Sequence, residues 1–133
     1  MSRILVIDDD SSIRIMLRQA LEKGGHEVTV AEDGQKGLAA QKQAPAELVI
    51  TDLIMPGMEG IETIMELRKR SPNLKIIAMS GGGVGKGADY LTMARKFGAA
   101  RTINKPFSLG TLLQAVNEVL AESPGQGGPT PPA

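Results

Sequence analysis

The sequence contains no cysteine. That absence excludes a disulfide framework, thiol catalysis and thiolate metal sites, and it suits a reducing compartment. There is one histidine, His26, so any metal must be held by oxygen or by that single imidazole. Aromatic residues are nearly missing as well, with Tyr90, Phe97 and Phe107 the only three. Charge of one sign is not in excess: 15 Lys and Arg balance 15 Asp and Glu, without a block of like charges. A nucleic-acid binder needs a basic face, so direct nucleic-acid contact is not expected. Long apolar runs are lacking too. The first one, residues 4–7, ends at three aspartates and is too short and wrongly flanked for a signal peptide or a membrane span. Neither membrane insertion nor export is expected, and the expected location is cytoplasmic.

What the chain does contain is enough apolar material for one core. With 133 residues and 41% of them hydrophobic, it can bury one domain but not two. The expected division is an ordered domain over residues 1–122 and a disordered tail over 123–133. The tail reads SPGQGGPTPPA, a composition that cannot bury enough apolar surface to offset its ordering entropy.

Short β-branched or apolar runs at residues 4–7, 28–31, 48–51, 76–79 and 101–104 are five strand candidates. Helical spacing lies between them. Ile13, Met16, Leu17, Ala20 and Leu21 share one face of the first helix, and Leu109, Leu112, Leu113, Val116 and Leu120 one face of the last. Gly24-Gly25 and Ser71-Pro72 mark helix ends. Strands alternating with helices imply a doubly wound α/β fold, a parallel sheet covered by helices on both faces. Of the seven methionines, Met16, Met65 and Met79 fit core faces, and His26 fits a turn or cap rather than a ligand. The one long irregular stretch is the glycine-rich run at residues 81–87.

In open α/β sheets, ligands sit beyond the carboxyl ends of the strands. Four of the expected ends supply the candidates: Asp8, Asp9 and Asp10 after the first, Asp52 after the third, Ser80 after the fourth and Lys105 after the fifth. Each alone has a plain structural reading, since Asp10, Ser11 or Ser12 suits a helix N-cap, Asp52 a turn, Ser80 a loop hydroxyl and Lys105 a solvated charge. Together they are harder to explain. Carboxylates gathered at adjacent strand ends repel by a few kcal/mol per close pair at an effective dielectric of about 20. Lys105 and a hard divalent cation such as Mg²⁺ are the two candidates to offset that repulsion. Carboxylates, a lysine and a hydroxyl beside such a metal are also the parts that phosphoryl transfer uses.

The segments ILVIDDD, VITDLIMPGMEG, IIAMS and INKPF, in that order and spacing, resemble the signature set of response-regulator receiver domains of two-component signalling. The resemblance covers residues 3–122, and a single-domain chemotaxis-regulator-like member is the nearest description. It implies a flavodoxin-like strand order 2-1-3-4-5. It also implies that Asp52 is the phosphoacceptor, that Asp8 and Asp9 hold Mg²⁺ with Asp9 the more direct ligand, and that the Ile54 carbonyl completes the protein's share of the metal shell. Ser80 is implied to move onto the phosphoryl group and Lys105 to pair with it. Pro56 and Gly60 would shape the loop after the acceptor, and Lys105-Pro106 is where the family carries a cis peptide. The implied partners are a sensor histidine kinase or histidine phosphotransfer protein as donor and a downstream protein target. Signalling would proceed by protein contact or phosphotransfer, with no enzymatic activity beyond the chain's own phosphorylation and dephosphorylation. The implied switch draws Ser80 inward and shifts residues 81–87 and the helix after them. The implied output face is that helix with strand five and the last helix. Two departures stand out: Thr102 occupies the strand-five position where many members have Phe or Tyr, and the loop after Ser80 is about three residues longer than the family's common form.

Three other readings compete. Asp8-Asp9-Asp10-Ser11-Ser12 fits the opening of haloacid-dehalogenase-type phosphatases, with Asp8 as nucleophile and Asp10 as general acid. It leaves Asp52 unexplained and lacks a later acidic pair. The run GGGVGKG looks like a phosphate-binding loop, but its spacing is wrong and it follows the fourth strand, not the first. A binding module that keeps the fold without taking phosphate is opposed by the intact set Asp8, Asp9, Asp52, Ser80 and Lys105.

Overall fold

The computed structural model describes residues 2–53, 60–80, 95–96 and 98–122. Ile54, Pro56, the glycine-rich run, the helix expected after it, and the Pro/Gly-rich tail therefore lie outside the described residues. Along the chain the elements are β1 (Arg3–Ile7), α1 (Ser11–Lys23), β2 (Glu27–Ala31), α2 (Gly34–Gln43), β3 (Leu48–Asp52), α3 (Gly60–Arg70), β4 (Lys75–Ser80), β5 (Arg101–Asn104) and α4 (Leu109–Ala121). All five expected strands are present. The third and fourth run one residue further than their apolar runs, so Asp52 and Ser80 are the last residues of their strands and still pair.

The strands form one parallel sheet in the order β2-β1-β3-β4-β5. Period-two alternation divides its side chains between two cores. Leu5, Ile7, Val49, Ile76 and Ala78 face α2 and α3, packing on Leu38, Ile61, Ile64 and Leu67. Ile4, Val6, Leu48, Ile50, Ile77, Met79 and Ile103 face α1 and α4, packing on Leu17, Leu21, Leu112, Val116 and Val119. Apolar residues at both parities are what a sheet covered on two faces requires, and each fully buried Leu or Ile contributes about 1.5–3 kcal/mol.

Helix ends follow local chemistry. Asp10 caps α1 by accepting from the Ser12 N–H at 2.8 Å, Asp33 caps α2 through the Lys36 N–H, and Ser108 caps α4 through the Thr111 N–H. After α1 the chain reverses at Gly25, whose φ of +93° is open to glycine at no steric cost. Buried Gln41 pins the α2–β3 turn by exchanging two hydrogen bonds with the Ala46 main chain. His26 sits half-buried at the start of β2, accepting from the Ser2 N–H through Nδ1, at the end of the sheet away from the acidic cluster.

Three expectations about the core are corrected. Met16 and Met65 are exposed, at 38% and 46%, while Met79 is fully buried. On α4 the buried stripe is Leu112, Ala115, Val116 and Val119, whereas Leu109 is exposed and Leu113 and Leu120 are only partly covered. A sheet covers a narrow stripe of each helix, so Met16, Met65, Leu113 and Leu120, each next to a buried residue, remain at its rim, and Leu109 is the first residue of its helix.

Candidate functional site

The register brings the polar strand ends to one edge. Ile7 is level with Thr51, which sets Asp8 beside Asp52; Asp52 is level with Met79, and Ser80 with Asn104, the residue before Lys105. Main-chain hydrogen bonds continue past the strands, from Asp8 N–H to Ala31 O, Leu53 N–H to Met79 O and Lys105 N–H to Ser80 O. The backbone under the site is thus held on every side by the sheet.

The three consecutive aspartates take three different jobs. Asp8 is fully buried, Asp9 is exposed, and Asp10 points away to cap α1. One carboxylate oxygen from each of Asp8, Asp9 and Asp52 lies within 4.8 Å of the others. Opposite them, Lys105 Nζ donates to Asp8 Oδ2 at 2.7 Å and pairs with Asp52 Oδ2 at 3.5 Å. Burial alone would lower the Lys105 pKa. The hydrogen bond to Asp8 and the charges of Asp52 and Asp8 outweigh it and hold the ammonium above its ordinary value of 10.5. The Lys105–Pro106 peptide is cis.

Gly60 opens α3 directly on the acceptor strand. Its N–H donates to Leu53 O at 3.1 Å, and a Cβ there would lie 2.3 Å from Leu53 Cα and 2.5 Å from Asp52 O. Only glycine fits that approach. Asp52 itself is 4% exposed and Ser80 2%, so both stand at the floor of the cleft while Asp9 forms its rim.

A set of hard carboxylate oxygens with one exposed member suits a small divalent cation that keeps several waters, and one lysine leaves three carboxylates under-compensated. The residues present therefore fit a metal of the Mg²⁺ type. Asp8, Asp9, Asp52 and Lys105 are brought together as expected, and Ser80 joins them through the main chain. The Ile54 carbonyl lies outside the described residues. Reading the sequence missed Arg14, whose Nη1 donates to the Asp8 carbonyl at 2.7 Å. An arginine on the first turn of a helix is an ordinary surface residue by pattern, and only its reach back across six positions distinguishes it.

The response regulator receiver domain model matches residues 4–117. The chain belongs to that family. As a receiver domain it is 36% identical to the chemotaxis protein CheY of Thermotoga maritima, over 88% of this chain and 96% of that protein. Among solved structures, a CheY-like receiver domain protein from Methanospirillum hungatei aligns with a TM-score of 0.85 and 31% identity, covering 96% of this chain and 99% of that one. The response regulator TrrA of Thermotoga maritima, solved in complex with Mg²⁺ and BeF, aligns with a TM-score of 0.76 and 31% identity over 90% and 99% of the two chains. Receiver domains are signalling proteins of two-component systems. They bind Mg²⁺ at an acidic cluster and work with histidine kinases or phosphotransfer proteins and downstream targets. The pocket of Asp8, Asp9 and Asp52 fits such a phosphoacceptor site. No helix among the described residues is long and apolar enough to cross a membrane.

Proposed function

We propose that this receiver domain takes a phosphoryl group on Asp52 from a phosphohistidine, borne by a sensor histidine kinase or a histidine phosphotransfer protein. The observation that supports this reading best is the placing of Asp52 at the end of the central strand, 3.5 Å from Lys105 Nζ and within the carboxylate cluster. An Asp52 oxygen attacks the phosphorus as the P–N bond breaks; the imidazole keeps the electron pair, and the product is an acyl phosphate. Lys105, held protonated by its two carboxylate neighbours, meets the negative charge that spreads onto the phosphoryl oxygens. Ser80, whose carbonyl already anchors the Lys105 N–H, donates its hydroxyl to one of those oxygens. Asp8, Asp9, Asp52 and the Ile54 carbonyl would hold Mg²⁺, with Asp9 the more direct ligand of the acidic pair. When bound, the ion neutralises phosphoryl charge and orients the donor.

The same site returns Asp52 to its carboxylate when water attacks the acyl phosphate, so the only chemistry is the chain's own phosphorylation and dephosphorylation. The signal passes by protein contact or phosphotransfer to a downstream protein in the cytoplasm. A phosphatase reading with Asp8 as nucleophile fits poorly. It leaves Asp52, in the same cluster and paired with Lys105, without a role.

Mass spectrometry after incubation with acetyl phosphate and Mg²⁺ tests the proposal. One phosphate on Asp52 is expected, with none in Asp52→Asn. Phosphate found on Asp8 in that variant would move the chemistry to the phosphatase reading.

A further inference from the structure

All four polar groups of Asp8 are committed. Its N–H donates to Ala31 O at 3.1 Å, one carboxylate oxygen accepts from the Asp10 N–H at 2.9 Å, the other accepts from Lys105 at 2.7 Å, and its carbonyl accepts from Arg14 Nη1 at 2.7 Å. The first three partners are main chain or belong to the site. Arg14 alone reaches in from the body of α1.

The Asp8 carbonyl and the Asp9 Cα lie in one planar peptide unit. Whatever fixes that carbonyl also fixes the plane from which the Asp9 side chain departs. Asp9 is exposed, and among the described residues no hydrogen bond holds its carboxylate, so its backbone sets where the side chain starts and only its two side-chain torsions remain to direct it. The Arg14 N–H bonds the Asp10 carbonyl at 3.1 Å, in the turn that the Asp10 side chain caps. Cap, first turn and guanidinium thus close a ring from Asp8 to Arg14.

We infer that Arg14 is a positioning residue for the metal site, holding the Asp8–Asp9 peptide so that the Asp9 carboxylate faces those of Asp8 and Asp52. The inference rests on the metal-binding reading proposed above and assigns to α1 a part in it. Arg14 has two opposed influences on a bound cation. Its charge repels the ion, so its loss would tighten binding; its hydrogen bond orients a ligand, so its loss would weaken it. Partners that orient a ligand are worth about 10- to 100-fold in metal affinity. Long-range repulsion from a guanidinium spent on a carbonyl and screened by water is worth less. Orientation therefore wins.

Mg²⁺ titration by calorimetry on the full chain, beside thermal melting without metal, tests this with Arg14→Ala, Arg14→Gln and Arg14→Lys. Arg14→Ala is expected to weaken Mg²⁺ binding about 10-fold. Arg14→Gln, which loses the charge but keeps an N–H donor, should lie nearer wild type than alanine does, as should Arg14→Lys. At saturating Mg²⁺ the rate of labelling by acetyl phosphate should return to wild type, a split that general destabilisation would not produce. Unchanged or tighter Mg²⁺ binding in both Arg14→Ala and Arg14→Gln, with wild type binding normally, overturns the inference alone. A wild-type protein that takes no Mg²⁺ overturns the metal site together with it.

Discussion

Neutralising Asp9 is expected to stabilise the metal-free protein and to abolish its response to Mg²⁺, two effects of opposite sign from one carboxylate. Its ligand oxygen lies within 4.8 Å of those of Asp8 and Asp52. At that separation each pair repels by ~3.5 kcal/mol at an effective dielectric of 20 and by ~0.9 kcal/mol in water. Because Asp9 is exposed, the lower figure applies, giving about 2 kcal/mol from two neighbours. Attraction to Lys105 removes part of this, and a net gain of about 1 kcal/mol is left for Asp9→Asn, or a Tm increase of roughly 3–5 °C for a domain of this size. Wild type should gain stability as Mg²⁺ passes its dissociation constant, by about 2.7 kcal/mol at a 100-fold excess. The two melting curves therefore cross: the variant is more stable in chelator and wild type in millimolar Mg²⁺. Raising monovalent salt toward 1 M, where the Debye length is about 3 Å, should shrink the chelator difference. Differential scanning calorimetry in chelator, in Mg²⁺ and in high salt measures all three. An Asp9→Asn protein that is less stable in chelator, or one that gains as much from Mg²⁺ as wild type, would refute the repulsion and the metal site respectively.

Lys105→Met should alter the alkaline limb of stability. The folded-state pKa of Lys105 is raised, so its contribution is fully present below the unfolded value, near 10.5, and is lost as pH rises through the folded one. Between about pH 9.5 and 11.5, one unit either side of that unfolded value, wild type should lose more stability than the variant by urea midpoint, and parallel losses would contradict the pairing. Gly60→Ala forces a Cβ to within 2.3 Å of Leu53 Cα and should cost about 3 kcal/mol in urea unfolding, with a slower Asp52 labelling rate. A variant with wild-type stability would show that α3 can withdraw freely. Gly25→Ala, at φ +93°, should cost about 1 kcal/mol while leaving Mg²⁺ binding unchanged, because it lies at the far end of the sheet from the site.

The sequence by itself determined the five strands, the described helices between them and the identity of the polar strand ends. Those rest on local periodicity, on Gly24-Gly25 and Ser71-Pro72 as breaks, and on residue types whose chemistry is unambiguous. It also carried Asp8, Asp9, Asp52, Ser80 and Lys105 as one set, because a parallel sheet sends every strand's carboxyl end to the same edge. Only the tertiary structure decided how the three aspartates divide their work. Asp8, Asp9 and Asp10 are equivalent in composition, and what separates them is the depth of β1 in the sheet and the start of α1. The same holds for Met16 and Met65, whose helical spacing could not say how wide a stripe the sheet would cover. Arg14 is the sharpest case, since a pattern reads neighbours three or four residues apart on one helix face. The bond to Asp8 crosses from a helix back to the end of a strand, and that distance exists only once α1 has docked on β1.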